Sequence, residues 1–275
     1  MRIPLTQAHY EDGSIALLWK EKEEDDIFKT VIAAEDWHRI PTEDLVGTLV
    51  PVDYYMPEYK SGWTLYEKPL EDHLFLKKAP LYDYEPEEEE KYWPKTELHE
   101  EIEIYEKLKS CPHPNIVKYH GVQVRNGRVL GIVIDKVETV PYERQSSQVA
   151  ATPLRDIGVA VKEMRSAVEH LHSLCIVHCD ISPANIGVHA DGRVVLFDFD
   201  SAFPIGAERY GKTYNMSWEP MPEIVKCMTA CVEIDYECIR LTEDALRSHQ
   251  RKLESLNPPI ADEGVTIVDT RTPCK

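Results

Sequence analysis

The sequence predicts an α+β chain with two lobes, a small β-rich lobe followed by a helical lobe. Two observations carry this prediction: short apolar runs dominate up to residue 138, and a long amphipathic helix follows. In that helix, apolar residues from Leu154 to Leu171 recur at steps of three and four, which is typical of one buried face. A β-rich half before a helical half indicates two packed units with a cleft between them.

Five apolar runs predict the strands of the first lobe. They lie at 46–52, 63–66, 74–78, 116–124 and 129–134. Asn126-Gly127 joins the last two runs and predicts a hairpin, because both positions of such a tight turn require positive φ. Thr96 is a candidate N-cap for a helix that ends before Pro112.

The helical half begins with a capping signal. Thr152-Pro153 is typical of an N-cap followed by the first helical residue. Asp191-Gly192 lies between two short apolar runs and predicts a second hairpin. A last helix is expected near 232–256.

These patterns divide the chain into four segments. Residues 1–44 are an N-terminal extension or edge hairpin, 45–138 the β-rich N-lobe, 139–256 a shortened helical C-lobe, and 257–275 a tail. The acidic insert at 83–91 fits a solvated loop or a helix start better than a docking site.

Composition excludes several classes of protein. The net charge of −18 over 275 residues argues against a nucleic-acid or anionic-membrane binder. The N-terminus has no apolar signal region, and no run of about 18 apolar residues occurs. We therefore expect a cytoplasmic or nuclear protein with no membrane or nucleic-acid partner.

The seven cysteines contain no C-x-x-C pair. The pairs 175/179 and 227/231 have a one-turn helical spacing that a zinc site could use. Buried free thiols are the favoured interpretation.

The densest polar cluster follows the long helix. It reads His178-Cys179-Asp180-Ile181-Ser182-Pro183-Ala184-Asn185, and Asp198 comes thirteen residues after Asn185 within Asp198-Phe199-Asp200. One acid can accept a proton from a hydroxyl, while the other acid and the amide supply the oxygen ligands that Mg²⁺ prefers. Phosphoryl transfer needs that set of groups, because its catalysis is mostly positioning and charge neutralisation.

These residues resemble the protein-kinase catalytic loop, H-R-D-x-x-x-x-N, and the metal-binding D-F-G. The resemblance implies a protein-kinase-like fold in which Asp180 is the catalytic base, Asn185 and Asp198 hold the metal, and ATP and Mg²⁺ are the cofactors. The D-I-S-P-A-N loop is also similar to that of aminoglycoside and choline kinase-like enzymes.

Upstream segments extend the resemblance. Leu74-Phe75-Leu76-Lys77 is similar to V-A-I-K, which makes Lys77 the candidate phosphate-binding lysine, with Lys78 as an adjacent alternative. Glu101 resembles the helix glutamate that pairs with that lysine, and Glu100 and Glu103 are its neighbours. The segment from Ile132 to Glu138 resembles the hinge that receives adenine, which implies Asp135 and Val137 as nucleotide-binding residues.

The departures from the family pattern are equally specific. The sequence has no G-x-G-x-x-G, and Cys179, Ser182 and Asp200 replace the family's arginine, lysine and glycine. Only about 40 residues follow Asp235, which resembles the helix aspartate that caps the catalytic loop.

The favoured function is an ATP- and Mg²⁺-dependent kinase that acts on Ser/Thr hydroxyls of a protein substrate. A small-molecule kinase and a catalytically weak pseudokinase binding module are the alternatives.

Overall fold

A computed structural model describes residues 2–9, 12–21, 26–36, 39–81, 84, 93–140, 154, 156–210 and 221–256. The strands are β1 (Arg2–His9), β2 (Ser14–Glu21), β3 (Ile27–Ala33), β4 (Thr48–Val50), β5 (Leu74–Lys77), β6 (Tyr119–Arg125), β7 (Arg128–Asp135), β8 (Glu138–Thr139), β9 (Ile176–Val177), β10 (Ile186–Val188), β11 (Val194–Leu196) and β12 (Phe203–Pro204). The helices are α1 (Val52–Tyr55), α2 (Pro94–Ser110), α3 (Ile157–Ser173) and α4 (Val232–Leu256). The predicted α+β class, with a sheet-rich first lobe and a helical second lobe, is confirmed.

The N-terminal region forms an antiparallel sheet in the order β1-β2-β3-β4. Ile15, Leu17 and Trp19 alternate along β2 and pack on Leu45 in a small apolar cluster separate from the main core. The sheet therefore includes strands within 1–44 and continues past residue 44 into β4. The four predicted segment boundaries stay a prediction.

The second sheet has the order β5-β7-β6 and carries Lys77 on β5. Its hairpin is confirmed, because Asn126 and Gly127 have φ of 52° and 76°. Two of the predicted strands contain fewer strand residues than the sequence indicated. Residues 63–66 make only an isolated bridge at Leu65, and residues 46–52 divide into β4 and the start of α1.

Helix α2 begins two residues before the predicted cap. Trp93 is the N-cap residue, and Pro94 takes the first turn, where a missing N–H costs nothing. The Thr96 amide donates to the Trp93 carbonyl at 2.8 Å, so Thr96 already lies inside the helix and the N-cap prediction was wrong. The helix ends at Ser110, before Pro112, as predicted.

Helix α3 presents the predicted buried face. Its apolar stripe is fully buried, from Ile157 to Leu171. The cap is Asp156, whose side chain accepts a hydrogen bond from the Val159 amide at 3.0 Å. Thr152-Pro153, the predicted start, lies outside the described residues, and Leu154 precedes the helix.

The C-lobe supplies two small sheets beside α3. The predicted second hairpin is present as β10 and β11, and β8 extends that sheet on its other side. Strands β9 and β12 form a second pair, and the predicted last helix is α4. One apolar core runs through both lobes, from α2 and its sheet to α3 and α4.

Two further findings concern the described residues. None of the helices found there combines the length and the apolar character needed to cross a membrane. The six cysteines described are free thiols, and no group of three His, Cys, Asp or Glu side chains in this part of the chain is arranged to hold a metal ion. The zinc alternative therefore gains no support from these residues. The insert at 83–91, Tyr84 excepted, and the tail at 257–275 lie outside the described residues.

Candidate active site

Lys77 lies between two carboxylates from different parts of the chain. Its Nζ is 2.7 Å from Glu101 on α2 and 2.5 Å from Asp198, which follows β11. Strand alternation sends the adjacent Lys78 to the other side of the sheet, where it lines a separate cavity with Leu5 and Tyr55. Among the two neighbouring lysines, Lys77 is thus the one that faces Glu101 and Asp198.

Burial strengthens the electrostatic interactions within this ion cluster. Burial alone would lower the pKa of Lys77, but the charges of Glu101 and Asp198 raise it well above the ordinary value. Burial raises the pKa of Glu101 to about 7 against the opposing effect of Lys77. Lys77 therefore carries a positive charge at neutral pH. That charge offsets part of the free-energy cost of burying Glu101 completely.

Asp180 and Asn185 form the second part of the site. The Asn185 side-chain amide donates to the Asp180 carboxylate at 2.7 Å and to the Asp180 carbonyl at 2.8 Å. Two hydrogen bonds from one amide close the loop between these residues and fix the Asp180 side chain. The Asn185 backbone carbonyl accepts a hydrogen bond from the Phe197 amide at 3.1 Å, so the side-chain oxygen Oδ1 is the group that can face a cation.

Asp235 on α4 holds the backbone at the start of this loop. Its buried carboxylate accepts hydrogen bonds from the His178 and Cys179 amides at 3.0 and 2.8 Å, and lies 2.9 Å from His172 Nε2. Cys179 has φ of 63°, a left-handed conformation that a non-glycine residue adopts only under constraint. Asp235 supplies the constraint, in agreement with the capping role that the resemblance implied.

Phe199 connects the two parts of the site. Its ring packs against Tyr105 at 5.2 Å and against His178 at 5.0 Å between ring centroids. Its amide donates to Glu101 at 3.0 Å, so the glutamate carboxylate binds the lysine and the segment after Asp198 at once. This amide contact was not predicted, since nothing in the sequence pairs Phe199 with α2.

Asp200 was noted in the sequence only as a departure from the glycine of D-F-G. Its negative charge adds to the raised pKa of both Lys77 and Glu101, and it accepts a hydrogen bond from Ser201 at 3.0 Å. The residue therefore increases the negative charge beside the lysine. The sequence could have indicated this added charge, because Asp198-Phe199-Asp200 contains a second aspartate two residues after the first.

The two predicted hinge residues have different surroundings. The Asp135 carboxylate lies 2.7 Å from His120 and 3.4 Å from His189, so its side chain is engaged by these histidines. Val137 packs on Gly187 of β10, where an added Cβ would lie 2.6 Å from a Val137 methyl group. The predicted hinge segment thus packs directly on the backbone of β10.

We expect Gly187→Ala to destabilise the fold by about 1–3 kcal/mol, because the new methyl group overlaps the Val137 side chain. Urea unfolding measures the effect, and Gly62→Ala is the control, since no atom of the described residues lies within 4 Å of a Cβ at that position. Adding Val137→Ala should restore part of the loss. Equal midpoints for Gly187→Ala and Gly62→Ala would contradict the overlap.

Comparison with known proteins agrees with this geometry. A family model described as the protein kinase domain matches residues 71–236, more than half of the chain, and the chain belongs to that family. The matched region contains every predicted site residue, from Lys77 to Asp198.

Three relatives illustrate the breadth of the match. The probable serine/threonine-protein kinase mkcF of Dictyostelium discoideum is 32% identical over 43% of this chain and 17% of its own length. The MAP kinase kinase skh1/pek1 of Schizosaccharomyces pombe is 28% identical over 60% of this chain and 47% of its own length. The cytokinesis protein sepH of Aspergillus terreus is 28% identical over 52% of this chain. The chain spans only 10–47% of the length of these relatives.

Proposed function

We propose that the chain is an ATP- and Mg²⁺-dependent phosphotransferase that acts on Ser/Thr hydroxyls of a protein substrate. The observation that carries the proposal is the Lys77 amine held between Glu101 and Asp198, next to a loop in which Asn185 fixes Asp180. Family membership and the kinases among the relatives support the same class of reaction.

Each residue takes one role in this proposal. Lys77 binds the phosphates of ATP, and Glu101 orients the Lys77 amine. Asp180 orients the acceptor hydroxyl and accepts its proton. The Asp135 side chain is engaged by histidines and its amide donates to the Lys118 carbonyl at 3.0 Å, so the proposed contacts to the base of the nucleotide use the Asp135 carbonyl and the Val137 backbone.

The donor groups fit magnesium. Asp198 offers a carboxylate and Asn185 an amide oxygen, both hard ligands suited to Mg²⁺. The metal, when bound, neutralises charge on the phosphates during transfer. Asp198 and Asn185 would hold it.

A second candidate function is nucleotide binding without turnover. Within the described residues β5 pairs only with β7, so the strand that carries Lys77 is an edge strand. The missing G-x-G-x-x-G leaves fewer backbone N–H groups to bind phosphates, and no further strand of the described residues pairs with β5 to cover them.

Thermal unfolding with ATP and Mg²⁺, followed by a transfer assay on protein and small-molecule acceptors, tests the proposal. A ligand at 100 times its Kd stabilises the native state by about 2.7 kcal/mol. Stabilisation with transfer to protein hydroxyls supports the kinase. Stabilisation without transfer to any acceptor favours the binding module, and no stabilisation contradicts both.

We predict that activity does not depend on phosphorylation of Ser201, Thr213, Tyr214 or Ser217. In the family, the arginine before the catalytic aspartate binds such a phosphate, and the Cys179 thiol carries no charge that could replace it. Arg209 is buried and donates to the Val225 and Cys227 carbonyls, so it is already engaged. Activity is compared before and after phosphatase treatment. A large loss traced to one of these hydroxyls would contradict the prediction.

A further inference from the structure

Residues 59–66, which we call the strap, cross the outer face of α2. Trp63 is buried against the main core, and its ring N–H donates to Glu103 at 3.1 Å. Lys60 is within 3.3 Å of the same carboxylate, and the Trp63 ring lies 5.2 Å from the His99 ring. The strap thus contacts α2 through an aromatic anchor and charged hydrogen bonds.

Glu106 is the second attachment point. It accepts hydrogen bonds from the Thr64 amide at 2.6 Å, the Thr64 hydroxyl at 2.9 Å and the Tyr119 hydroxyl at 2.7 Å. Three donors on one half-buried carboxylate tie the strap, α2 and β6 together.

The strap is also joined to the sheet by its backbone. The Val122 amide donates to the Thr64 carbonyl at 2.8 Å, and the Tyr66 amide to the Val122 carbonyl at 2.9 Å. Gly121 has φ of 132°, and a Cβ there would lie 2.7 Å from the Thr64 carbonyl oxygen, so only glycine allows this close approach. Strand β6 belongs to the sheet that carries Lys77 on β5.

The attachment points lie opposite the site on α2. At about 100° per residue, His99, Glu103 and Glu106 share one face of the helix, and Glu101 lies on the other. The strap therefore fixes the outer face of α2 to the sheet while the inner face presents Glu101 to Lys77.

We propose that Trp63 and Glu106 are positioning residues, which hold α2 so that Glu101 reaches Lys77 and the Phe199 amide without a partner protein or a bound nucleotide. Their importance for catalysis rests on the function proposed above. The positioning itself can be measured in the free chain.

Amide hydrogen exchange of the full chain tests the proposal without nucleotide. Trp63→Ala and Glu106→Ala should speed exchange at Phe199 and along 101–108 by about tenfold or more, because the helix opens locally. Trp63→Phe keeps the ring in place and should restore most of the protection.

Trp19→Ala is the matched control. Trp19 is equally buried, but it lies in the separate apolar cluster of the N-terminal sheet. The proposal is overturned if Trp63→Ala and Glu106→Ala exchange like the parent, or if Trp19→Ala speeds exchange at Phe199 equally. If the Trp63→Ala variant does not fold, the exchange rates of the Glu106→Ala variant alone test the proposal. A parent that binds no nucleotide would contradict the proposed function while leaving this measurement valid.

Discussion

Asp180→Asn is expected to lower the turnover number about 10²–10⁴-fold, because the amide cannot accept the proton of the acceptor hydroxyl. MgATP affinity should stay within about twofold of the parent, since Asp180 lies outside the Lys77 ion cluster. An asparagine carbonyl can still accept the Asn185 hydrogen bond, so the loop geometry is retained.

Steady-state transfer and nucleotide titration measure the two effects separately. Asp156→Asn is the control, because aspartate and asparagine cap α3 equally well. A variant that keeps parental turnover would remove Asp180 from the catalytic role. If only small-molecule acceptors are phosphorylated by the parent, the aminoglycoside and choline kinase-like alternative replaces the protein kinase.

Asp198→Asn is expected to abolish the Mg²⁺-dependent part of the stabilisation by ATP. The variant loses the only charged metal ligand of the proposed pair, and a neutral amide oxygen binds a divalent cation far more weakly. Asp198 has φ of 68°, a left-handed conformation that asparagine also tolerates, so the substitution changes charge with little effect on the backbone.

The measurement is the rise in Tm with ATP, with and without Mg²⁺, for parent and variant. Asp244→Asn serves as the control, since Asp244 pairs with Arg240 on the exposed face of α4. Equal metal-dependent shifts in parent and Asp198→Asn would show that the metal is held elsewhere.

Local patterns predicted the parts of the fold that depend on local sequence. The periodic stripe of α3, the Asn126-Gly127 hairpin and the end of α2 before Pro112 follow from spacing and turn chemistry, and the structure has all three. The N-cap predicted for α2 at Thr96 was wrong, because Pro94 starts a helix as readily as a capping side chain does.

Tertiary contacts explain what the sequence did not reveal. Residues 63–66 have the composition of a strand, but the segment makes only one bridge to β6, at Leu65, and the side chain of Trp63 and the backbone of Thr64 are bound by the glutamates of α2. The choice between Lys77 and Lys78 likewise depended on which face of β5 meets α2. The roles assigned to the site residues stay predictions for the experiments above.

The contact between Lys77 and Asp198 has a consequence for metal binding. The Lys77 amine is the counter-ion of Asp198, at 2.5 Å. A divalent cation that binds Asp198 must therefore compete with the Lys77 amine for the Asp198 carboxylate. The phosphates of ATP can pair with the Lys77 amine in place of Asp198, so bound ATP makes metal binding to Asp198 more favourable. Metal alone should consequently bind weakly, and metal and nucleotide should bind cooperatively.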